Sequence, residues 1–286
     1  MNVDNRQSKI NKSTNQQIII EMKKFFYIIV AAVMLASCTK EIELDYRDVE
    51  SVPVIEGLLS VDKAEVKITK TRNMDDSTKM TGMKVDDVRY ILPDGTEMAL
   101  EYQSDGYYRP AKNDIQLQDN ATYTLRVTID GVEYTGSSTL QPRIEITEPE
   151  FVWAELMDWM QVLEFETTNV PDGATVYGWA RIHRNGEIYF SDAGSCKSDS
   201  PFDIGLYYDS DMENDDEMIL YDGDTLALEF RTIDEPVYRY LYEYNSTRVN
   251  PQQFFKPSVE GKICMGYFSV YNSVKYETIY KKTPHN

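Results

Sequence analysis

Downstream of residue 50 the chain alternates between apolar and polar residues over short runs. Glu65-Val66-Lys67-Ile68-Thr69-Lys70 alternates strictly, as a strand does when one face is buried and the other meets water. The same period of two recurs in 123–129, 162–167 and 225–231. Tyr, Val, Ile, Thr and Phe crowd these runs, the residue types that suit a pleated, half-buried surface. Turn chemistry falls between them. In Pro93-Asp94-Gly95 the proline presets φ and the glycine accepts a positive one. Asp130-Gly131 and Asn185-Gly186 each join two such runs, the strongest short hairpin signal. Further strands are expected at 52–59, 85–92, 98–102, 106–109, 175–182 and 187–190, with a closing apolar stretch at 261–280.

One segment breaks the period. From Glu235 to Thr247 the pattern predicts a helix, with Pro236 in its first turn. Tyr238, Leu241, Tyr242 and Asn245 are expected to share one face. Turns recurring roughly every 8–12 residues over 52–140 read as an immunoglobulin-like sandwich. Gln141-Pro142 marks a boundary. The expected architecture is mostly β: two β-sandwich (immunoglobulin-like) domains in tandem, 51–142 and 143–286, with one short helix in the second.

The start of the chain is of another kind. Met22-Lys23-Lys24 precedes twelve apolar residues, Phe25 to Ala36, and then Ser37-Cys38. This is a charged n-region, an h-region and a small-residue cleavage site. With cysteine at the cleavage point it reads as a bacterial lipobox, in which Cys38 is acylated and becomes the first mature residue. Twelve helical residues span about 18 Å, short of a hydrocarbon core of about 30 Å. Residues 22–37 are thus read as a lipoprotein signal peptide and 38–50 as a tether. Residues 1–21 are polar and read as an upstream start artefact. Two or more acyl chains make such an anchor effectively permanent.

Charge narrows the partners. The leader holds five of the 29 basic and two of the 48 acidic residues. The remaining 249 residues carry 24 basic and 46 acidic side chains, a net charge of −22. Such a surface repels phosphate backbones, so no nucleic-acid partner is expected. It also repels anionic lipid, which sets the body off the membrane on its tether.

Candidate chemistry is sparse. Cys196 and Cys264 are the cysteines left after Cys38. An oxidising compartment permits a disulfide between them or two free thiols. The acidic run 209–217 invites a calcium reading through Asp209, Asp211, Glu213 and Asp215. The EF-hand template fails, because Asn214 stands where glycine is needed and Leu220 where glutamate is needed. The run reads as a solvated loop, and no metal is assigned. His183 and His285 are the only histidines, too few for a zinc site or a convincing triad. Nucleotide-binding glycine motifs, GxSxG and CxxC are all missing. No catalytic or cofactor-binding residue is therefore named, and enzymatic activity is not expected. Trp153, Trp159, Tyr207, Tyr208, Tyr238, Tyr240, Tyr242 and Tyr244 either pack the core or offer faces to sugars and proteins. Trp153 to Met160 is the segment singled out as an exposed patch.

Several segments together resemble a known family. Cys38-Thr39-Lys40-Glu41-Ile42-Glu43-Leu44-Asp45 resembles the opening of domain of unknown function 4249, a family of Bacteroidetes lipoproteins. Val54-Ile55-Glu56-Gly57 is similar as well, as is the pairing of Ala121–Leu125 with Asp130–Tyr134. Val259 to Phe268 resembles the family's closing motif, with Ser258-Val259 in place of its usual Asn-Ile. The resemblance covers nearly the whole mature chain. It implies an outer-membrane lipoprotein, often encoded beside a TonB-dependent transporter, and carries over no site residues. Acids just after the cysteine in related lipoproteins signal export to the cell surface. Lys40 to Asp45 is similar but interrupted by apolar residues, so the cell surface is expected, with the periplasmic face as the alternative. Asp76-Ser77-Thr78 and Asp224-Thr225-Leu226 resemble the O-glycosylation signal of that phylum. The expected function is a lipid-anchored accessory or binding protein that works with a TonB-dependent transporter in nutrient uptake. Its small-molecule or glycan ligand is not named by the sequence. The alternatives are a structural or adhesive surface lipoprotein and, behind it, an enzyme acting on glycans or peptides.

Overall fold

The computed structural model describes residues 51–72, 81–112, 114–153, 160–197, 202–207, 219–245 and 253–281. The chain divides into two compact units, Met1–Arg47 and Asp48–Asn286, and every described residue lies in the second.

The runs of period two form strands where expected. The first seven are β1 (Pro53–Leu59), β2 (Ala64–Lys70), β3 (Asp87–Ile91), β4 (Glu97–Tyr102), β5 (Tyr107–Pro110), β6 (Thr122–Ile129) and β7 (Val132–Thr139). The short β8 (Glu145–Ile146), β9 (Glu150–Trp153), β10 (Met160–Phe165) and β11 (Thr167–Thr168) follow. Then come β12 (Thr175–Arg184), β13 (Glu187–Lys197), β14 (Phe202–Tyr207) and β15 (Thr225–Ile233). Helix α1 (Glu235–Asn245) precedes β16 (Lys256–Pro257), β17 (Met265–Val270) and β18 (Asn272–Ile279). Among the described residues the protein is thus mostly β, with one helix and several sheets. The hairpins turn as their residues dictate: Asp130 and Gly131 have φ of +49° and +76°, and Asn185 and Gly186 of +52° and +91°, the left-handed pair a two-residue hairpin requires.

The largest sheet has nine strands in the order β16-β7-β6-β3-β4-β5-β2-β1-β17 and is curled into a half-barrel. Its inner face buries Ile55, Val66, Ile68, Tyr90, Leu125, Val127 and Phe268 completely. Gly57 is small for a reason: a Cβ there would lie 2.6 Å from Leu125 and 2.9 Å from Phe268. The edge strand β17 comes from the far end of the chain and pairs in parallel with β1, Val54 facing Met265 and Leu59 facing Val270. Gly266 makes this approach possible. Its φ is +107°, and a Cβ would stand 1.9 Å from the carbonyl oxygen of Ile55. The curl brings β17 back toward β7, where the Val270 N–H donates to Ser138 Oγ at 3.0 Å.

A second, antiparallel sheet runs β13-β12-β15-β18. One face carries Ala180, Ile182, Leu226, Leu228, Phe230 and Val274, packed with Leu163, Phe165 and Phe151 of β9 and β10. Phe165 meets Phe230 edge-on at 5.3 Å. The opposite face carries Trp179 and Ile233, which pack with Val237 and Tyr240 of α1 and with Tyr267 and Tyr271. Strand β17 is therefore buried on both sides, Phe268 and Val270 in the half-barrel and Tyr267 against the second sheet.

The expected pair of tandem immunoglobulin-like sandwiches is not confirmed, since the nine-stranded half-barrel takes β16 and β17 from the end of the chain, and three further readings are refined. The apolar stretch 261–280 is two strands in two different sheets, β17 and β18. The helix buries Val237 and Tyr240, one residue out of phase with the expected face, and leaves Tyr242 51% exposed. Cys196 and Cys264 are both free and buried. They belong to separate hydrophobic clusters, Cys264 in the half-barrel and Cys196 in the second-sheet core.

Candidate functional site

The first turn of α1 is fastened to the end of β7. Asp234 caps the helix: its carboxylate accepts from the Val237 N–H at 3.3 Å and from the Thr139 N–H at 2.7 Å. Burial pushes the Asp234 carboxyl up, against the pull of these hydrogen bonds. On the other side of β7, Gly136 lets the chain at Phe254-Phe255 lie directly on the strand, since a Cβ would meet both rings at 2.8 Å. Strand β16 then pairs with β7 through Lys256–Thr135 and Pro257–Tyr134.

Between α1, β7 and this returning segment lies a cleft of about 710 Å³, a size typical of small-ligand sites. Thr135 and Ser137 of β7 form its floor. Arg239 and Tyr240 line the helix side, and Phe254 and Lys256 the third wall. Arg239 pairs with Glu235 one turn away, an exposed pair worth at most about 1 kcal/mol. Lys256 then gives the cleft a local excess of positive charge in an acidic protein. The Tyr240 hydroxyl accepts from the Gly266 N–H at 2.7 Å, and burial pushes its pKa up to about 12. It therefore keeps its proton near neutral pH, and that proton is a hydrogen-bond donor. Phe254 meets the Tyr240 ring at 6.4 Å, edge to face. Aromatic surface, hydroxyls and cations on one wall system suit binding.

A second polar centre lies between β17 and the face of the second sheet. Arg231 is 2% exposed. Its Nε and Nη2 donate to Glu229 at 3.0 and 2.6 Å. Its guanidinium sits between Trp179, at 4.6 Å, and Tyr271, at 4.3 Å. Arg181 also approaches the Trp179 ring, at 5.6 Å. Burial and the charge of Arg231 both lower its pKa from the usual guanidinium range. Burial raises the Glu56 carboxyl, opposed by Lys67 and Arg181.

The residues singled out from sequence fare unevenly. Cys38, the acidic set Asp209, Asp211, Glu213 and Asp215, and Trp159 and Tyr208 all lie outside the described residues. Trp153, expected in an exposed patch, is half-buried against the second core. Tyr238 and Tyr242 pack in a tilted arrangement along α1 at 5.7 Å, and Tyr177 extends the aromatic row at 4.9 Å from Tyr238. His183 is half-buried, and burial followed by Arg181 lowers its pKa. Cys196 contacts Thr167 Oγ1 at 3.6 Å, and burial pushes the Cys264 thiol up to about 12. Asp224 of the second threonine triplet is buried, paired with Arg184 at 2.8 Å and bonded to Asn185 at 2.8 Å. Among the described residues no cluster of His, Cys, Asp or Glu is arranged as a metal site, and no helix is long and apolar enough to cross a membrane.

Sequence reasoning missed the cleft and the arginine pair. Phe254 and Lys256 carried no periodic signal, because their segment is shaped by contact with Gly136. Glu229 and Arg231 alternate with Leu228 and Phe230, the pattern of a solvated face, yet that face is covered by another layer.

No curated protein matches this sequence. A prokaryotic membrane lipoprotein lipid attachment site matches residues 22–39. This span holds the signal segment and Cys38, and it supports a protein held to a membrane by lipid. A family model also matches residues 39–277, almost all of the chain beyond that site, and the chain belongs to its family, Domain of unknown function (DUF4249).

Proposed function

We propose that the protein is an outer-membrane lipoprotein, acylated on Cys38, that binds a ligand or partner and works with a TonB-dependent transporter in nutrient uptake. The observation that carries the binding role is the cleft between α1, β7 and 253–256, with Tyr240, Phe254, Arg239 and Lys256 on its walls. The lipid attachment site supplies the membrane context. Its work on this reading is recognition rather than catalysis, and its place is the cell surface of a Bacteroidetes cell. The tether after Cys38 gives the body reach over the membrane plane, and its negative charge keeps it off anionic headgroups.

The test is affinity purification of the tagged full-length chain from gently solubilised outer membranes. A transporter recovered in stoichiometric amount supports the proposal. Recovery of the lipoprotein with no transporter overturns the transporter role.

A further inference from the structure

Strand β7 has one gap in the hydrogen bonding of its outward edge. The alternation of its ladder with β6 turns the backbone N–H and C=O of Glu133, Thr135, Ser137 and Thr139 away from β6. Glu133 accepts from the Ser258 N–H at 2.7 Å and donates to Ser258 Oγ at 2.9 Å. Thr135 pairs with Lys256 of β16. The Thr139 N–H donates to Asp234 at 2.7 Å, and its C=O accepts from Gln141 at 3.1 Å. Ser137 stands between these partners. Its N–H and C=O make no hydrogen bond among the described residues. Strand β16 stops short of it at Lys256, and Ser137 is exposed in the floor of the cleft. An open sheet edge is a template for another strand. This one is a single residue long, bounded by β16 on one side and Asp234 on the other, so it suits a short extended segment.

Charge adds a second requirement. Glu235 pairs with Arg239, whereas Lys256 is exposed and has no acidic partner among the described residues. An acidic group on the ligand supplies that partner in an otherwise acidic protein. A sugar acid would meet Lys256 and the Phe254 ring, but it has no backbone donor and acceptor spaced to match those of Ser137. A peptide has both. Resting on the reading of this cleft as a binding site, we propose that it takes an extended peptide. One peptide residue pairs with Ser137 as an added strand, and an acidic side chain meets Lys256.

The full-length lipoprotein in detergent is titrated calorimetrically with acetylated tetrapeptide amides of valine and threonine, one glutamate placed at each position in turn. At least one should bind saturably. Its glutamine counterpart should bind about fivefold more weakly, the scale of an exposed ion pair. Methylating the backbone nitrogens one at a time should weaken binding about tenfold at the residue that pairs, the loss of one hydrogen bond. Lys256→Gln should abolish the preference for glutamate over glutamine. Ser137→Pro deletes the edge N–H and should weaken every peptide about tenfold, whereas Ser137→Ala should not. The methylated peptides and Lys256→Gln leave β7 unaltered, so they decide the matter if the proline variant fails to fold. Binding of a galacturonic acid tetramer but of none of the peptides overturns the peptide inference and leaves the binding role of the cleft standing. Binding of neither overturns both. Peptide binding that ignores backbone methylation and Lys256→Gln overturns the inference as well.

Discussion

At the residue scale the fold depends on a few positions with little freedom. Arg231 holds Glu229 and fills the slot between Trp179 and Tyr271. Removing one member of a buried pair leaves the other uncompensated, at a cost of about 3–5 kcal/mol. Arg231→Ala is expected to lose about 3 kcal/mol in urea denaturation, and adding Glu229→Leu should recover part of it. A loss under about 1 kcal/mol would show that the pair does little. Glu56 gives a pH-dependent counterpart. Its carboxyl is raised by burial in the folded state, so the folded protein binds that proton more tightly than the unfolded chain does. The resulting stabilisation is full below the ordinary glutamate range and is lost as pH rises through the raised value. Glu56→Gln should therefore gain stability relative to the parent between pH 4 and pH 7, measured by denaturation at both. A parallel pair of curves would contradict this. Neither residue announced itself in sequence. Alternation states which face a side chain takes, not what lies over that face.

Local chemistry was most legible at the scale of elements. Asp130-Gly131 and Asn185-Gly186 specify turns within four residues, and the strands beside them formed as expected. Helix α1 was found through its proline and its change of period, but its buried face was placed one residue late. Two tertiary bonds set that phase: Asp234 accepts from Thr139 on β7, and Tyr240 accepts from Gly266 on β17. Neither partner is near in sequence, so no local pattern could reveal them. Asp234→Ala removes the cap and its tie to β7, and a cap alone is worth about 0.5–2 kcal/mol. The expected loss is about 2 kcal/mol, with faster amide exchange at Val237 and Thr139. Unchanged exchange at both amides would contradict the role given to this carboxylate.

At the scale of the whole molecule, the link that was hardest to read is the return of the chain end. Val54 pairs with Met265 across most of the described sequence. Gly266 is the only mark of that junction, and its meaning depends on the Ile55 carbonyl it approaches. The segment 51–142 lacks β16 and β17, which form the two edges of the half-barrel, and lacks Phe268 of its core. Expressed alone, it is expected to show no cooperative unfolding transition by circular dichroism, whereas the mature chain should show one. A fragment that melts cooperatively would mean that the first seven strands suffice. The functional claim also belongs to this scale: the body acts where a lipid on Cys38 holds it. The direct measurement is labelled-palmitate incorporation in the native bacterium, followed by membrane fractionation. The parent chain should take up label and sediment with the outer membrane, and Cys38→Ala should do neither. A labelled Cys38→Ala chain, or an unlabelled parent in the soluble fraction, would contradict the claim.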